Sequence, residues 1–319
     1  MASQATSYHF HTGSGWENDP TVKGNSSIMA ILAKMKYDGL FTAVIMREAK
    51  TSCVGVSEGK TTPDKYVLSN INRTENFLLT NGGNFMMPGD PLLRADLDSL
   101  LVESKYFYFS VGPTSVSKNA VPVAGVYNDL YHKLQGDDGN FLTSGPDMRI
   151  PLDSPEPDPK LANTTAGRLQ YFIKDAQGNK IPNTVKEDTQ SPYTRTVFTH
   201  LPGGMVTVNE PNERNALVIV NGGIKVAFTY TSQRQVGMRI NELRELIDRF
   251  LKEYLKIGIA DTQIALNLDG GGSIFVGWVK NGRLKVLAAG GMATPKVYPL
   301  TPQGFKFRDV TTMVKHVLN

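Results

Sequence analysis

The run from about Asn241 to Ser273 limits how this chain can fold more than any other stretch. From about Asn241 to Ile257, Leu243, Leu246, Ile247, Phe250, Tyr254 and Leu255 recur at helical spacing and make one apolar stripe. Glu245 with Arg249 and Asp248 with Lys252 form i,i+4 pairs on the wet face, and Gly258 stands where a C′ glycine belongs. The spacing predicts a helix that leads directly into an apolar strand, Gln263 to Leu268, and then into Asp269-Gly270-Gly271-Gly272-Ser273. Alternate side chains of a strand share a face, so Asn267 and Asp269 are expected to point the same way. The glycines let the backbone turn without a Cβ clash, and successive N–H groups in such a turn can hold an anion. A carboxylate beside an anion cradle has the makings of a site. The alternative is a tight turn in which Asp269 bonds its own backbone.

Elsewhere the pattern is dominated by short apolar, β-branched runs. Strands are expected around Tyr8 to His11, Gly39 to Met46, Asn76 to Thr80, Tyr106 to Val111, Val121 to Val126, Leu169 to Lys174, Thr194 to His200, Met205 to Val208 and Ala216 to Val220. Two more follow at Phe275 to Val279 and Leu284 to Ala289. Asn221-Gly222-Gly223 fits a hairpin turn. Ser27 to Lys34 is apolar, Pro91 to Val102 carries leucines near helical spacing, and a last helix is expected near Val310 to Leu318. Gly136 to Lys160 is rich in Gly, Asp, Pro and Ser and is expected to be mainly loop, a surface insertion rather than a linker. Many strands with few helices indicate an α+β or mixed α/β fold: one domain over residues 1–319, built on a mixed, largely antiparallel sheet core with a few packed helices.

Composition removes several function classes. With 34 basic and 30 acidic residues the net charge is +4, dispersed and without a basic run interleaved with aromatics, so no nucleic-acid partner is expected. No stretch of about 18 apolar residues occurs, so no membrane-spanning helix is expected. Met1 to Asn18 is polar and lacks the apolar core of a secretory signal. The chain has one cysteine, Cys53, which excludes an intrachain disulfide and a thiolate metal cluster. A reducing, cytoplasmic setting is the expectation, and three Asn-x-Ser/Thr matches are then accidental.

Two asparagine- or aspartate-plus-glycine strand ends lie far apart in sequence: Asn81-Gly82-Gly83 and Asp269-Gly270-Gly271-Gly272. Meeting at one sheet edge, they would form a crevice with bare backbone and few side chains in the way. These runs resemble a known family. Asn81-Gly82-Gly83-Asn84-Phe85 resembles the Asn-Gly-Gly-Phe-Phe motif of the phosphodiester glycosidases, and Asn267-Leu268-Asp269-Gly270-Gly271-Gly272-Ser273 resembles their Asn-Leu-Asp-Gly-Gly-Gly-Ser-Ser signature. Thr194-Arg195-Thr196-Val197 is similar to the family's Pro-Arg-Thr-Ala segment, and the helix at 241–257 lies where the family has one. The motifs keep family order over about residues 75–280. The chain departs from the family at Asn84, where a Phe is usual, and at Ile274, where a Ser is usual; the basic segment after the signature is not recognisable.

The resemblance implies hydrolysis of a sugar-1-phosphate diester. In that reading Arg195 clamps the phosphate, and Asp269 is nucleophile or acid/base group. Asn81 and Asn267 bond sugar hydroxyls, while Gly82, Gly83, Thr196, Gly270, Gly271, Gly272 and Ser273 line the site. The partner is a phosphorylated glycan or sugar phosphodiester; no cofactor and no metal are expected, and self-association stays open. Asp129, Glu210 and Glu242 are each conceivable as a second carboxylate. The other reading is a non-catalytic relative, an abundant storage or carbohydrate-binding protein with an altered pocket.

Three further patterns rank lower. His9 and His11 alternate on a strand and could supply two metal ligands, but no third is identifiable. Gly136-Asp137-Asp138-Gly139-Asn140 suggests a calcium loop yet lacks the EF-hand spacing. No P-loop occurs, and Ser273 lacks the Gly-x-Ser-x-Gly elbow of a serine nucleophile.

Overall fold

The structure is a computed structural model. It describes residues 4–11, 27–35, 39–55, 62–70, 75–83, 85–86, 109–111, 122–123, 131–135, 137, 142–149, 156–157, 171–174, 180–182, 185–187, 196–198, 211–221, 223–232, 237–281, 283–291, 296–298, 307–310 and 312–318. The strands expected at 205–208, the helix at 91–102 and Arg195 lie outside these.

Two antiparallel sheets stack face to face. The first contains β1 (Gln4–His11), β2 (Leu40–Arg47), β7 (Arg214–Asn221), β8 (Ile224–Thr231) and β9 (Ile264–Leu268), in the order β1-β2-β8-β7-β9. The second contains β3 (Lys50–Gly55), β4 (Asn76–Asn81), β10 (Phe275–Lys280), β11 (Arg283–Ala289), β12 (Lys296–Tyr298) and β13 (Thr312–Leu318), in the order β12-β11-β10-β4-β13-β3. A hairpin of β5 (Tyr131–Gln135) and β6 (Leu142–Pro146) continues into a bridge between Asp147 and Leu266, beside the edge strand β9. The segment from Gly136 onward is thus not loop throughout: β6 stands inside it, and Met148 N–H donates to the Ala265 carbonyl.

Strand alternation sorts the side chains into layers. Ala216, Val218 and Val220 of β7 join Phe228 and Tyr230 of β8 under α3 (Ile240–Tyr254) and α1 (Ser27–Met35). Their neighbours Leu217, Ile219 and Ala227 turn the other way, onto Leu78, Val276, Leu287 and Val314 of the second sheet. The outer face of that sheet buries Phe77, Leu79, Phe275 and Val286 with Val67 of α2 (Pro63–Asn70). Phe250 of α3 packs edge-on against Phe228 with centroids 5.3 Å apart, and stacks on Tyr254 at 4.5 Å. The expected stripe on α3 is therefore the face that covers the first sheet.

Two sequence expectations need correction. The last segment is strand β13 rather than a helix, hydrogen-bonded between β3 and β4. Val314 and Val317 are β-branched and suit that slot, and Val314, His316 and Leu318 alternate onto the buried inter-sheet face. At the end of α3 the left-handed residue is Lys256, with φ 59°, whereas Gly258 has φ −83° and opens the following 3₁₀ turn. Asp248 does pair with Lys252, at 2.6 Å. Among the described residues no helix is long and apolar enough to cross a membrane.

Candidate functional site

The two glycine runs meet. Asp269 N–H donates to the Gly82 carbonyl at 3.0 Å, so the end of β9 in the first sheet is tied to the end of β4 in the second. Asn81 is the fastener. Its Nδ2 donates to the Asp269 carbonyl at 2.8 Å and to the Gly82 carbonyl at 3.3 Å. Its Oδ1 accepts from Asn215 Nδ2 at 2.8 Å and from the Phe275 N–H at 3.0 Å. All four positions of the amide are spent inside the protein on a fully buried side chain, which leaves none for a sugar hydroxyl. Asn267 is also buried, and its Nδ2 donates to the Leu268 carbonyl at 3.0 Å.

The glycine loop is wound tightly, with Gly271 in the left-handed region at φ 57°. Its N–H groups mostly turn inward: Gly271 donates to the Glu213 carbonyl at 2.9 Å, Ser273 to that of Gly270 and Ile274 to that of Gly271. The Gly270 N–H goes to the Asp269 carboxylate. The loop is thus a self-bonded turn more than the open cradle its composition suggests. Gly272 is the glycine of the run that stands exposed. A side chain at Gly270 would collide with the Glu213 carbonyl, so the close approach itself demands glycine there.

Asp269 is partly buried, and burial pushes its carboxyl up to about 6 from the ordinary 3.8. Ser273, the positive charge of Arg308 and the Gly270 N–H pull in the opposite direction but do not cancel the burial. The Ser273 hydroxyl approaches the carboxylate without completing a well-formed hydrogen bond. Arg308 is exposed and lies over the loop, its Cδ 3.6 Å from where a Gly272 Cβ would stand. A carboxyl that titrates near neutrality, beside an exposed guanidinium, can move a proton next to a bound anion.

Sequence reasoning missed three residues here. Arg308 has no motif around it. Glu213 and Arg214 head β7, which runs antiparallel beside the signature strand with Asn215 opposite Leu268. Arg214 is almost wholly buried and donates from Nε to the Met238 carbonyl at 2.8 Å. Glu213 is wholly buried, and burial raises its carboxyl above the usual range despite two backbone N–H donors. A charged pair placed directly before an apolar strand was the available signal. Of the earlier candidates, Thr196 lies on the strand Thr196–Phe198, opposite Glu187. Gly82 and Gly83 are buried at the end of β4. His9 is buried, with its Nδ1 3.3 Å from Thr42 Oγ1, and no group of three metal-ligating residues occurs among the described residues.

No protein-family model and no curated protein sequence matches the chain. Solved structures do. The catalytic domain of zebrafish N-acetylglucosamine-1-phosphodiester alpha-N-acetylglucosaminidase, auto-inhibited by its pro-peptide, is similar at 13% identity and a TM-score of 0.40, over 98% of this chain and 87% of that one. A hypothetical protein from Synechocystis is similar at 10% identity and a TM-score of 0.39, over 88% of this chain and 60% of that one. These are distant likenesses of fold.

Proposed function

We propose that the chain is a hydrolase of sugar-1-phosphate diesters of the phosphodiester glycosidase type, with Asp269 as its acid/base group. The observation that carries the reading is the Asp269 carboxyl, raised to about 6 at the end of the signature strand and faced by the exposed Arg308. Asp269 takes a proton from a water as that water bonds to the anomeric carbon. The bond from that carbon to the phosphate oxygen breaks, and its electron pair leaves with the phosphate monoester. Arg308 binds the phosphate and balances its charge, the role first expected of Arg195. A phosphate ester leaves readily, so one proton-transfer group with an anion partner suffices.

The test is release of free sugar from a synthetic N-acetylglucosamine-1-phosphodiester. Asp269→Asn should lose roughly 10²–10⁴-fold in kcat, and Arg308→Ala should raise KM for the phosphodiester. Equal rates in the wild type and Asp269→Asn would sink the proposal. The second reading, a non-catalytic carbohydrate-binding or storage relative, draws on the commitment of Asn81 and the loop N–H groups to the fold and on the burial of Ile274. It expects sugar binding without turnover in either protein.

A further inference from the structure

Glu213 bonds both the glycine loop after Asp269 and the turn that lies on it. Its backbone carbonyl accepts the Gly271 N–H at 2.9 Å and lies against Gly270 closely enough to forbid a side chain there. Its carboxyl Oε1 accepts two N–H groups, Ser232 at the end of β8 and Gly291 just past β11, each at 2.8 Å. The Gly290–Gly291 turn in turn lies on the glycine loop: a Cβ on Gly290 would stand 2.5 Å from the Gly271 carbonyl oxygen and 2.8 Å from Gly272 Cα. Gly290 N–H donates to the Ile274 carbonyl at 3.1 Å, closing the same contact. One residue therefore joins two loops, its carboxyl holding the Gly290–Gly291 turn and its backbone carbonyl the loop that carries Asp269.

The state of that side chain is unusual. Glu213 is wholly buried, and its Oε2 has no hydrogen-bond partner among the described residues. Of the charged groups around it, Arg214 directs its Nε to the Met238 carbonyl, and Asp269 is engaged with Gly270, Ser273 and Arg308. Burial pushes this carboxyl above the usual carboxylate range, and the two N–H bonds on its one oxygen offset that only in part.

We propose that Glu213 is the positioning residue of the Asp269 site: its buried carboxyl locks the Gly290–Gly291 turn onto the glycine loop and thereby shields Asp269 from water. The proposal rests on Asp269 being the reactive group of the proposed hydrolase. Reach matters and charge does not. Gln at position 213 keeps an acceptor oxygen in place for both N–H groups, whereas Asp is one methylene too short to serve both.

The experiment is an NMR titration of Asp269 in protein labelled with ¹³C at aspartate carboxyl carbons, with Asp269→Asn identifying the signal. In Glu213→Gln the Asp269 midpoint should stay at about 6. In Glu213→Asp it should fall by about one unit or more toward the ordinary value near 4, as water reaches the carboxyl. An unmoved midpoint in Glu213→Asp overturns the proposal, and so does an equal fall in Glu213→Gln. Should Glu213→Asp fail to fold, Gly290→Ala decides. Its Cβ prises the turn from the loop without touching Glu213, and an unmoved midpoint there overturns the coupling. The titration needs no substrate. Loss of turnover in Asp269→Asn with an unmoved midpoint in Glu213→Asp would leave the hydrolase standing and remove the coupling. The reverse pattern would do the opposite.

Discussion

Lys225 and Ser232 stand at opposite ends of β8, roughly 23 Å apart at about 3.3 Å per residue, and the polar groups buried around them are satisfied in different ways. Near Lys225 they are matched by charge. Lys225 Nζ donates to Asp137 at 2.8 Å and to the Ala49 carbonyl at 2.7 Å, while Asp137 also accepts the Thr51 N–H at 2.6 Å. Burial alone would raise Asp137, but Lys225, Thr51 and His316 together hold it below the usual carboxylate range. His316 lies between the sheets with its Nδ1 2.7 Å from Thr51 Oγ1, and burial, then Lys225, hold it neutral down to about 3. Around Ser232 both carboxyls, Glu213 and Asp269, are pushed up instead, because burial outweighs the backbone N–H groups that meet them and, at Asp269, the charge of Arg308. Groups settled in their ordinary ionised or neutral forms belong to structure. Carboxyls held against their preference mark the end where chemistry is to be sought.

The sharpest way to break this contrast is at Asn81. Asn81→Ala removes four hydrogen bonds from the glycine end and strands the Phe275 N–H, the Asn215 amide and the Asp269 carbonyl. The expected loss is about 4 kcal/mol at about 1–3 per buried orphan, with some relaxation. Urea unfolding measures it, and a loss below about 1 kcal/mol would mean that the two sheet ends are held by something else.

Next in size is the pH dependence, in which the two ends have opposite signs. Asp269 has a raised folded value, so the stability it contributes is full below the ordinary value of 3.8 and is lost as pH rises through about 6. Glu213 has the same sign. His316 and His9 are lowered from 6.5 to about 3, so their contribution is full above 6.5 and is lost as pH falls toward 3. Asp137 is lowered too and loses its share on acidification. Between pH about 4 and 6 the opposing slopes offset each other in the wild type. Asp269→Asn removes one falling slope, so its unfolding free energy should climb with pH relative to the wild type by up to about 3 kcal/mol. His316→Gln should tilt the other way, gaining on the wild type as pH falls. Parallel curves for all three proteins would remove the distinction between the ends.

Smaller again is Asp137→Ala. Asp137 is 53% exposed, so water takes over part of its role, while Lys225 at 5% keeps its charge buried with one carbonyl acceptor. A loss of roughly 2 kcal/mol is expected for the stranded ammonium. Lys225→Met should cost less, because the exposed carboxylate left behind can be hydrated.

How far the sequence revealed this follows from the kind of signal each part carries. The stripe on α3, the run of β9 and the hairpin at Asn221-Gly222-Gly223 are local patterns, and each element formed within a few residues of its expected bounds. The last strand was hidden because Val310 to Leu318 fits either period, and only the slot between β3 and β4 decides it. At the site, the meeting of Asn81-Gly82-Gly83 with the signature run was legible. The inward turning of the loop N–H groups was not, since hydrogen-bond partners such as the Glu213 carbonyl are supplied from 58 residues away in sequence. Glu213 and Arg308 went unnoticed for the same reason: neither sits in a motif, and tertiary packing alone brings them to Asp269.

The smallest effect separates two adjacent glycines of the loop. Gly271 adopts φ 57°, where an alanine is strained by about 1 kcal/mol or somewhat more, yet the nearest atom to its Cβ would be Asn212 Oδ1 at 3.4 Å. Gly270 has an extended backbone that any residue tolerates, but its Cβ would run into the Glu213 carbonyl oxygen. Gly271→Ala should therefore fold, melt a few degrees lower and keep the Asp269 midpoint at about 6. Gly270→Ala has to push the loop off β7, which takes the Gly271 N–H from the Glu213 carbonyl and opens the carboxyl to water. It should lose more stability and lower the midpoint as well. The pair distinguishes strain in a turn from loss of a seam: equal behaviour would place the loop's importance in its glycine conformations, and unequal behaviour places it in the contact with Glu213.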